Sequence, residues 1–248
     1  MRDGLDRVLL LTQTVSIDYQ RDASALWSHA KRLYDDRATK WVFRPGEVAN
    51  RSEQALRSAM ESKGRLRYGT KDVKWWRENA ITWHNEFDGD PRRLFQQAGW
   101  HVDRIRQEVA RPNRFKGLRG PKIFPLWLRI LADIEKYRFV GFEDLPIPVD
   151  IHIARATFAT GILRGKYTGP LDSALLQRIR DAWKSACATS DDVPILFDEP
   201  LWQLSRLGCT ARHSAGSSDC PKRPGCPIGT SCPRGTIEVS TRGVRVNT

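Results

Sequence analysis

Between Trp100 and Tyr137 the chain reads WHVDRIRQEVA-RPNRFKGLRGP-KIFPLWLRILADIEKY, two helical patterns joined by a short turn that carries glycine. In the first, Val102, Ile105 and Val109 recur at helical spacing, and Arg111-Pro112-Asn113 breaks the run. In the second, Pro125 falls in the opening turn, where a missing N–H is harmless. The joint itself, Arg111 to Lys122, holds five basic residues (Arg111, Arg114, Lys116, Arg119, Lys122) and no acid, with Gly117 and Gly120 bracketing its tip. A glycine turn feeding a helix presents backbone N–H groups and the positive end of the helix dipole, which favour a phosphate. Two readings fit: a grip on a nucleic-acid backbone, or an ordinary turn between helices on a basic surface.

The same helical period runs outward in both directions. Helices are expected over Ala23–Arg37, Ser52–Lys63, Thr70–Phe87 with Thr70 as N-cap, and from Pro91 behind an Asp90 cap. Further helices are expected from His101 to Ala110, over Leu171–Thr189 and over Glu199–Leu207. Pro146-Ile147-Pro148-Val149 is an extended lead-in to Asp150, which caps IHIARATFATGIL. Only the tail, TIEVSTRGVRVNT, alternates as a small β-hairpin would. The fold class is all-α, divided as 1–70 (a helical region without a recognisable motif), 71–208 and 209–248.

Composition narrows the partners. The 248 residues carry 41 Lys+Arg against 29 Asp+Glu, a formal charge of +12, which points to a polyanion and first of all to nucleic acid. Of the nine Trp residues, Trp75, Trp76, Trp83 and Trp100 are candidates for base stacking, with core packing the default for each. The opening MRDGLDRVLLLTQTVSID is too short and too acidic at its flank for a signal peptide, and no later stretch is a membrane span. A cytoplasmic location and no membrane partner are expected.

Four cysteines, Cys209, Cys220, Cys226 and Cys232, fall in GCTARHSAGSSDCPKRPGCPIGTSC, a loop too rich in Gly, Pro and Ser to build its own core. In a reducing compartment such a cluster reads as a set of metal ligands rather than disulfides. Cys187, alone in LLQRIRDAWKSACATS, reads as a buried helical thiol. Asp150, taken alone, reads as a plain N-cap before it reads as a carboxylate held ionised for chemistry.

In order along the chain, the hairpin Phe115-Lys116-Gly117-Leu118-Arg119-Gly120-Pro121-Lys122, the run Pro148-Val149-Asp150-Ile151-His152-Ile153-Ala154-Arg155, and the cysteine loop resemble the helix-hairpin-helix (HhH-GPD) DNA glycosylases with an iron–sulfur cluster, the endonuclease III-like group. The hairpin is one residue longer than that family's L-P-G-V-G-x-K. The cysteines are spaced C-x10-C-x5-C-x5-C against the family's C-x6-C-x2-C-x5-C.

The resemblance implies two helical lobes with a central cleft, double-stranded DNA containing a damaged or modified base as partner, and action as a monomer. It implies catalytic roles for Asp150 and Lys122. Asp150 would stabilise positive charge on the sugar, and Lys122 would be either a nucleophile giving β-elimination AP-lyase chemistry or a phosphate contact. DNA contacts are implied for Arg114, Lys116, Gly117, Leu118, Arg119, Gly120, His152 and Arg155. Cys209, Cys220, Cys226 and Cys232 would hold a 4Fe–4S cluster, with structural zinc the alternative and His213 a substitute ligand in that case. Lys222, Arg223 and Arg234 would give the loop its charge against DNA. Two other functions fit the composition: a non-catalytic nucleic-acid-binding module, and a hydrolase of a modified nucleoside.

Overall fold

The computed structural model describes residues 2–210, 212 and 220–248, and the chain divides into two compact units, Met1–Phe142 and Glu143–Thr248. The division falls inside the stretch 71–208 that the sequence suggested as one region. Both units are predominantly helical, as the periodicity requires.

Unit 1 opens with α1 (Arg2–Ser16), followed by α2 (Ala23–Asp35), the short α3 (Pro45–Ala49), α4 (Glu53–Glu61) and the long α5 (Gly69–Phe87). Then come α6 (Pro91–Gln97), α7 (Val102–Ala110) and α8 (Ile123–Glu135). Asp22, Ser52 and Asp90 each accept a backbone N–H from the first turn of the helix they cap, so these three starts were written in the sequence. Helix α5 begins one residue earlier than expected, with Tyr68 rather than Thr70 at its N-cap. Its Trp76, Val73 and Ala80 join Val42, Phe43, Leu33, Leu56 and Met60 in a core that binds the first eighty residues together. The Trp76 indole donates to Val42 O at 2.7 Å, satisfying the one polar atom that this burial would otherwise strand.

Unit 2 holds α9 (Ile151–Thr160), β1 (Lys166–Gly169), α10 (Ser173–Cys187), α11 (Asp198–Gln203), β2 (Thr236–Ser240) and β3 (Gly243–Asn247). The strands form one antiparallel sheet in the order β1-β3-β2. The tail hairpin was legible from its alternation; β1 was not, because four residues are too few to show a period. Helix α9 is the axis of this unit: Ile153 through Ala159 are all buried, against Ile179, Trp183, Leu201 and the inward faces of β2 and β3. Cys187 is buried on α10, as its setting suggested. Among the described residues no helix is long and apolar enough to cross a membrane.

Candidate functional site

The hairpin between α7 and α8 is fixed by its backbone. Phe115 and Leu118 turn inward and are completely buried; the Phe115 ring lies 4.2 Å from that of Trp83, centroid to centroid. Asn79, on α5, clamps the next residue from both sides: its Nδ2 donates to Lys116 O at 2.9 Å, and its Oδ1 accepts Lys116 N–H at 2.7 Å. Thr82 Oγ1, one turn further along α5, donates to Arg114 O at 2.9 Å. Gly117 has φ +80°, and a Cβ there would stand 1.8 Å from the carbonyl oxygen of Ser16 at the end of α1. Only glycine permits that backbone-to-backbone approach. Gly120 differs: its φ is unexceptional and a Cβ would meet nothing within 4 Å.

The five cations of the turn do not share one role. Arg114 is largely buried and paired to Glu86 and Glu108, and Arg111 pairs with Glu108 at 2.5 Å. Their charges are neutralised within the unit, so the expectation that Arg114 contacts phosphate is corrected: it braces the hairpin. Leu118 likewise contributes its backbone, its side chain being core. Arg119 remains exposed and Lys116 half-buried. Lys122 is the N-cap residue of α8 and half-buried, where the next turn begins with Leu126 N–H donating to its carbonyl at 3.3 Å.

In unit 2, Asp150 caps α9 as the sequence required. Its Oδ1 accepts the N–H groups of His152 at 2.8 Å and Ile153 at 3.0 Å. Buried Ile147 and Val149 pin the extended lead-in, so the carboxylate is carried on a rigid element at the positive end of a helix. His152 Nδ1 lies 3.4 Å from Ser205 Oγ, and its ring tilts against that of Trp202 with centroids 5.4 Å apart.

Arg155 is turned into unit 2, against the expectation that it meets DNA. It is 5% exposed, and its guanidinium donates to Ser205 Oγ at 3.1 Å and to Val239 O at 2.5 Å. Burial pushes its pKa down, opposed by nearby Cys209 and Asp150. The residue ties the Asp150 helix to strand β2 and to the π-helical turn Leu204–Cys209 that follows α11. A charged residue in P-V-D-x-H-x-x-R gives no sign of its direction until the helix is phased against its neighbours.

That π-helical turn delivers Cys209. Cys209, Cys220, Cys226 and Cys232 line one small cavity, with Arg212 and Arg223 at its wall. All four are free thiols. Arg212 donates to Cys232 Sγ at 3.3 Å and to the carbonyls of Pro233 (3.0 Å) and Gly235. Arg223 donates to Gly229 O at 2.7 Å and Cys232 O at 3.0 Å, while Lys222 donates to Leu207 O at 2.6 Å. The loop's cations thus hold its own carbonyls, an arrangement suited to a segment without an apolar core. Burial, reinforced by Cys232, Cys226 and Cys220, pushes the Cys209 thiol up to about 12. Burial also raises Cys232, against the pull of Arg212 and Arg223. Two buried thiols, Cys209 and Cys232, that resist ionising on their own fit a cationic centre that would draw off their protons. Among the described residues no three His, Cys, Asp or Glu side chains are grouped closely enough for a single ion. His213 lies outside the described residues.

The stacking candidates separate cleanly. Trp76 and Trp83 are core, and Trp100 packs with Phe95, Tyr137 and Phe139. Trp75 alone of the four is half-exposed beside a cation, Lys71.

Along this all-α chain a glycine hairpin is followed in sequence by an aspartate-capped helix and then by a thiol-lined loop, the order of elements in the helix-hairpin-helix DNA glycosylases. Residues 122–220 match the family model AGOG, an N-glycosylase/DNA lyase, and this match supports placing the chain in the HhH-GPD superfamily, with the activity of a DNA N-glycosylase. The matched segment begins at Lys122, encloses Asp150, Cys209 and Cys220, and ends before Cys226 and Cys232. No curated protein sequence matches the chain.

Proposed function

We propose that the protein excises a damaged, mismatched or modified base from double-stranded DNA in the cytoplasm, and that Lys122 makes it a lyase as well. The supporting observation is that the matched N-glycosylase/DNA lyase segment opens on Lys122 and contains Asp150 on a rigid helix start. The hairpin's backbone N–H groups, with Lys116 and Arg119, hold backbone phosphates, and the target nucleotide leaves the stack. The amine of Lys122 attacks C1′ as the N-glycosidic bond breaks, and the departing base takes the electron pair and the proton that the amine gives up. Asp150 stabilises the oxocarbenium-like charge that builds on the sugar. In the aminal so formed the C1′–O4′ bond breaks, O4′ takes a proton from water, and the resulting Schiff base loses a C2′ proton and expels the 3′ phosphate by β-elimination.

Cys209, Cys220, Cys226 and Cys232 would hold a 4Fe–4S cluster, which would supply a rigid centre to a loop that lacks a core. This reading rests on the four thiols lining one shared cavity, and structural zinc is its alternative.

Borohydride reduction during turnover tests the lysine: wild type yields a covalent protein–DNA adduct, Lys122→Ala does not, and an adduct persisting in Lys122→Ala refutes the assignment. Asp150→Asn keeps the N-cap, since Asn caps as well as Asp, but loses base release. Retained release removes Asp150 from the chemistry. Iron and acid-labile sulfide analysis of purified protein separates cluster from zinc.

A further inference from the structure

A second cationic surface on unit 1 takes no part in the chemistry above. Lys71, exposed on the first turn of α5, has its ammonium 4.4 Å from the Trp75 ring centroid, 5.4 Å from that of Tyr19 and 5.6 Å from that of Tyr68. Arg21 and Arg67 each stand 5.3 Å from the Tyr68 ring. Tyr19 is 46% exposed, a high value for an aromatic ring, and Arg65, Arg67 and Lys74 are exposed around the group. Among the described residues Lys71 and Arg67 have no carboxylate in an ion pair, unlike Arg111 and Arg114 in the hairpin.

This surface is held rigidly. Asp72 takes Arg21 in a two-point pair at 2.6 and 3.0 Å, both side chains almost wholly buried, and also accepts Tyr68 N–H at 3.2 Å. A buried pair of this kind gives little net stability but fixes geometry, and what it fixes is the loop bearing Tyr19. The surface lies on the same helix as the hairpin's clamp. Lys71, Trp75 and Asn79 follow at four-residue intervals along one face of α5, and Asn79 is the residue that clamps Lys116. At 1.5 Å per residue the ledge lies about 12 Å from that clamp, roughly three to four nucleotide steps of a stacked strand.

We propose that Tyr19, Tyr68, Lys71 and Trp75 form a stacking ledge for unpaired nucleotides on the strand that leaves the hairpin, so that the protein favours DNA with a single-stranded segment beside the duplex it grips. Aromatic faces stack only on bases that are out of a duplex, and the interleaved cations meet their phosphates, the pairing that single-strand sites use. The inference rests on the hairpin grip proposed above.

The test compares binding of the full chain to a blunt duplex and to the same duplex extended by a few unpaired nucleotides carrying 2-aminopurine. Wild type should prefer the extended DNA by about tenfold or more and quench the 2-aminopurine as it stacks. Tyr19→Ala/Lys71→Ala, both at exposed positions, should lose preference and quenching while blunt-duplex binding changes little. Wild type without preference, or a double variant that keeps it, overturns the proposal. So does competition by polyglutamate as effective as by an oligonucleotide, which would show bare charge attraction. Arg119→Ala separates the two ideas. Weakening of both DNAs alike upholds the hairpin grip whatever the ledge does; an unchanged blunt affinity overturns that grip and, with it, the ledge as placed here.

Discussion

Gly117 and Gly120 look alike in the sequence, two glycines of one turn, yet alanine should separate them sharply. At Gly117 a Cβ would fall 1.8 Å from Ser16 O, about 1.7 Å short of a normal contact, so the hairpin and the end of α1 must part by that much. The left-handed φ adds about 1–2 kcal/mol for any residue with a side chain. Parting of that size also stretches the Asn79 clamp, whose bonds of 2.7 and 2.9 Å are worth about 1 kcal/mol each and more when a buried group is left unmet. Together these give a loss of about 3–5 kcal/mol, or roughly 10 °C in Tm for a protein of this size. Gly120→Ala, with open space at its Cβ, should stay within about 0.5 kcal/mol of wild type. Differential scanning calorimetry reads the stability, and fluorescence anisotropy with a short duplex reads the grip, which should weaken for Gly117→Ala alone. Equal melting of the two variants, or greater damage at Gly120, would refute the close approach on which the hairpin's placement depends.

Asp72→Asn removes the charge opposite buried Arg21 and should cost about 3–5 kcal/mol, measured by urea unfolding; a loss below about 1 kcal/mol would mean that Arg21 finds water instead. His29 is buried on α2, and burial, then Arg32, pushes its pKa down. The folded state therefore resists protonation while the unfolded chain accepts it. Stability should fall as pH drops through about 6.5, by at most about 1.4 kcal/mol per pH unit from this group, and the slope should flatten in His29→Gln. Stripping the cysteine centre with a chelator and reductant should expose the loop to trypsin after Lys222, whereas the loaded protein resists; equal cleavage of the two forms would mean that Arg212 and Arg223 suffice to hold it.

Two helix starts were legible from their caps, because Asp90 and Asp150 cap through their own side chains and need no distant partner. The hairpin's position was legible from its glycines and charge, but not how its charges are divided. Glu86 and Glu108, which neutralise Arg114, sit 28 and 6 residues away, and nothing local announces them. Helix α1 was passed over as an apolar stretch, although Leu5, Val8, Leu9, Thr12 and Val15 follow the helical period. Arg155 shows the limit most clearly: a basic residue within a DNA-enzyme motif suggested phosphate, but its partners Ser205 and Val239 lie 50 and 84 residues downstream. Contacts over such separations are set by tertiary packing, which no window of sequence contains.

The three-stranded sheet of unit 2 has a consequence for the order in which the protein takes shape on the ribosome. Its middle strand, Gly243–Asn247, is made after both strands it joins, so β1 must wait through more than seventy residues of further synthesis for its partner. Every element of unit 1 is complete by residue 142, and domains made first generally fold first. The half bearing the hairpin and Lys122 can therefore mature before the aspartate helix has the sheet it packs against, and a nascent or prematurely terminated chain would carry one half of the candidate site without the other.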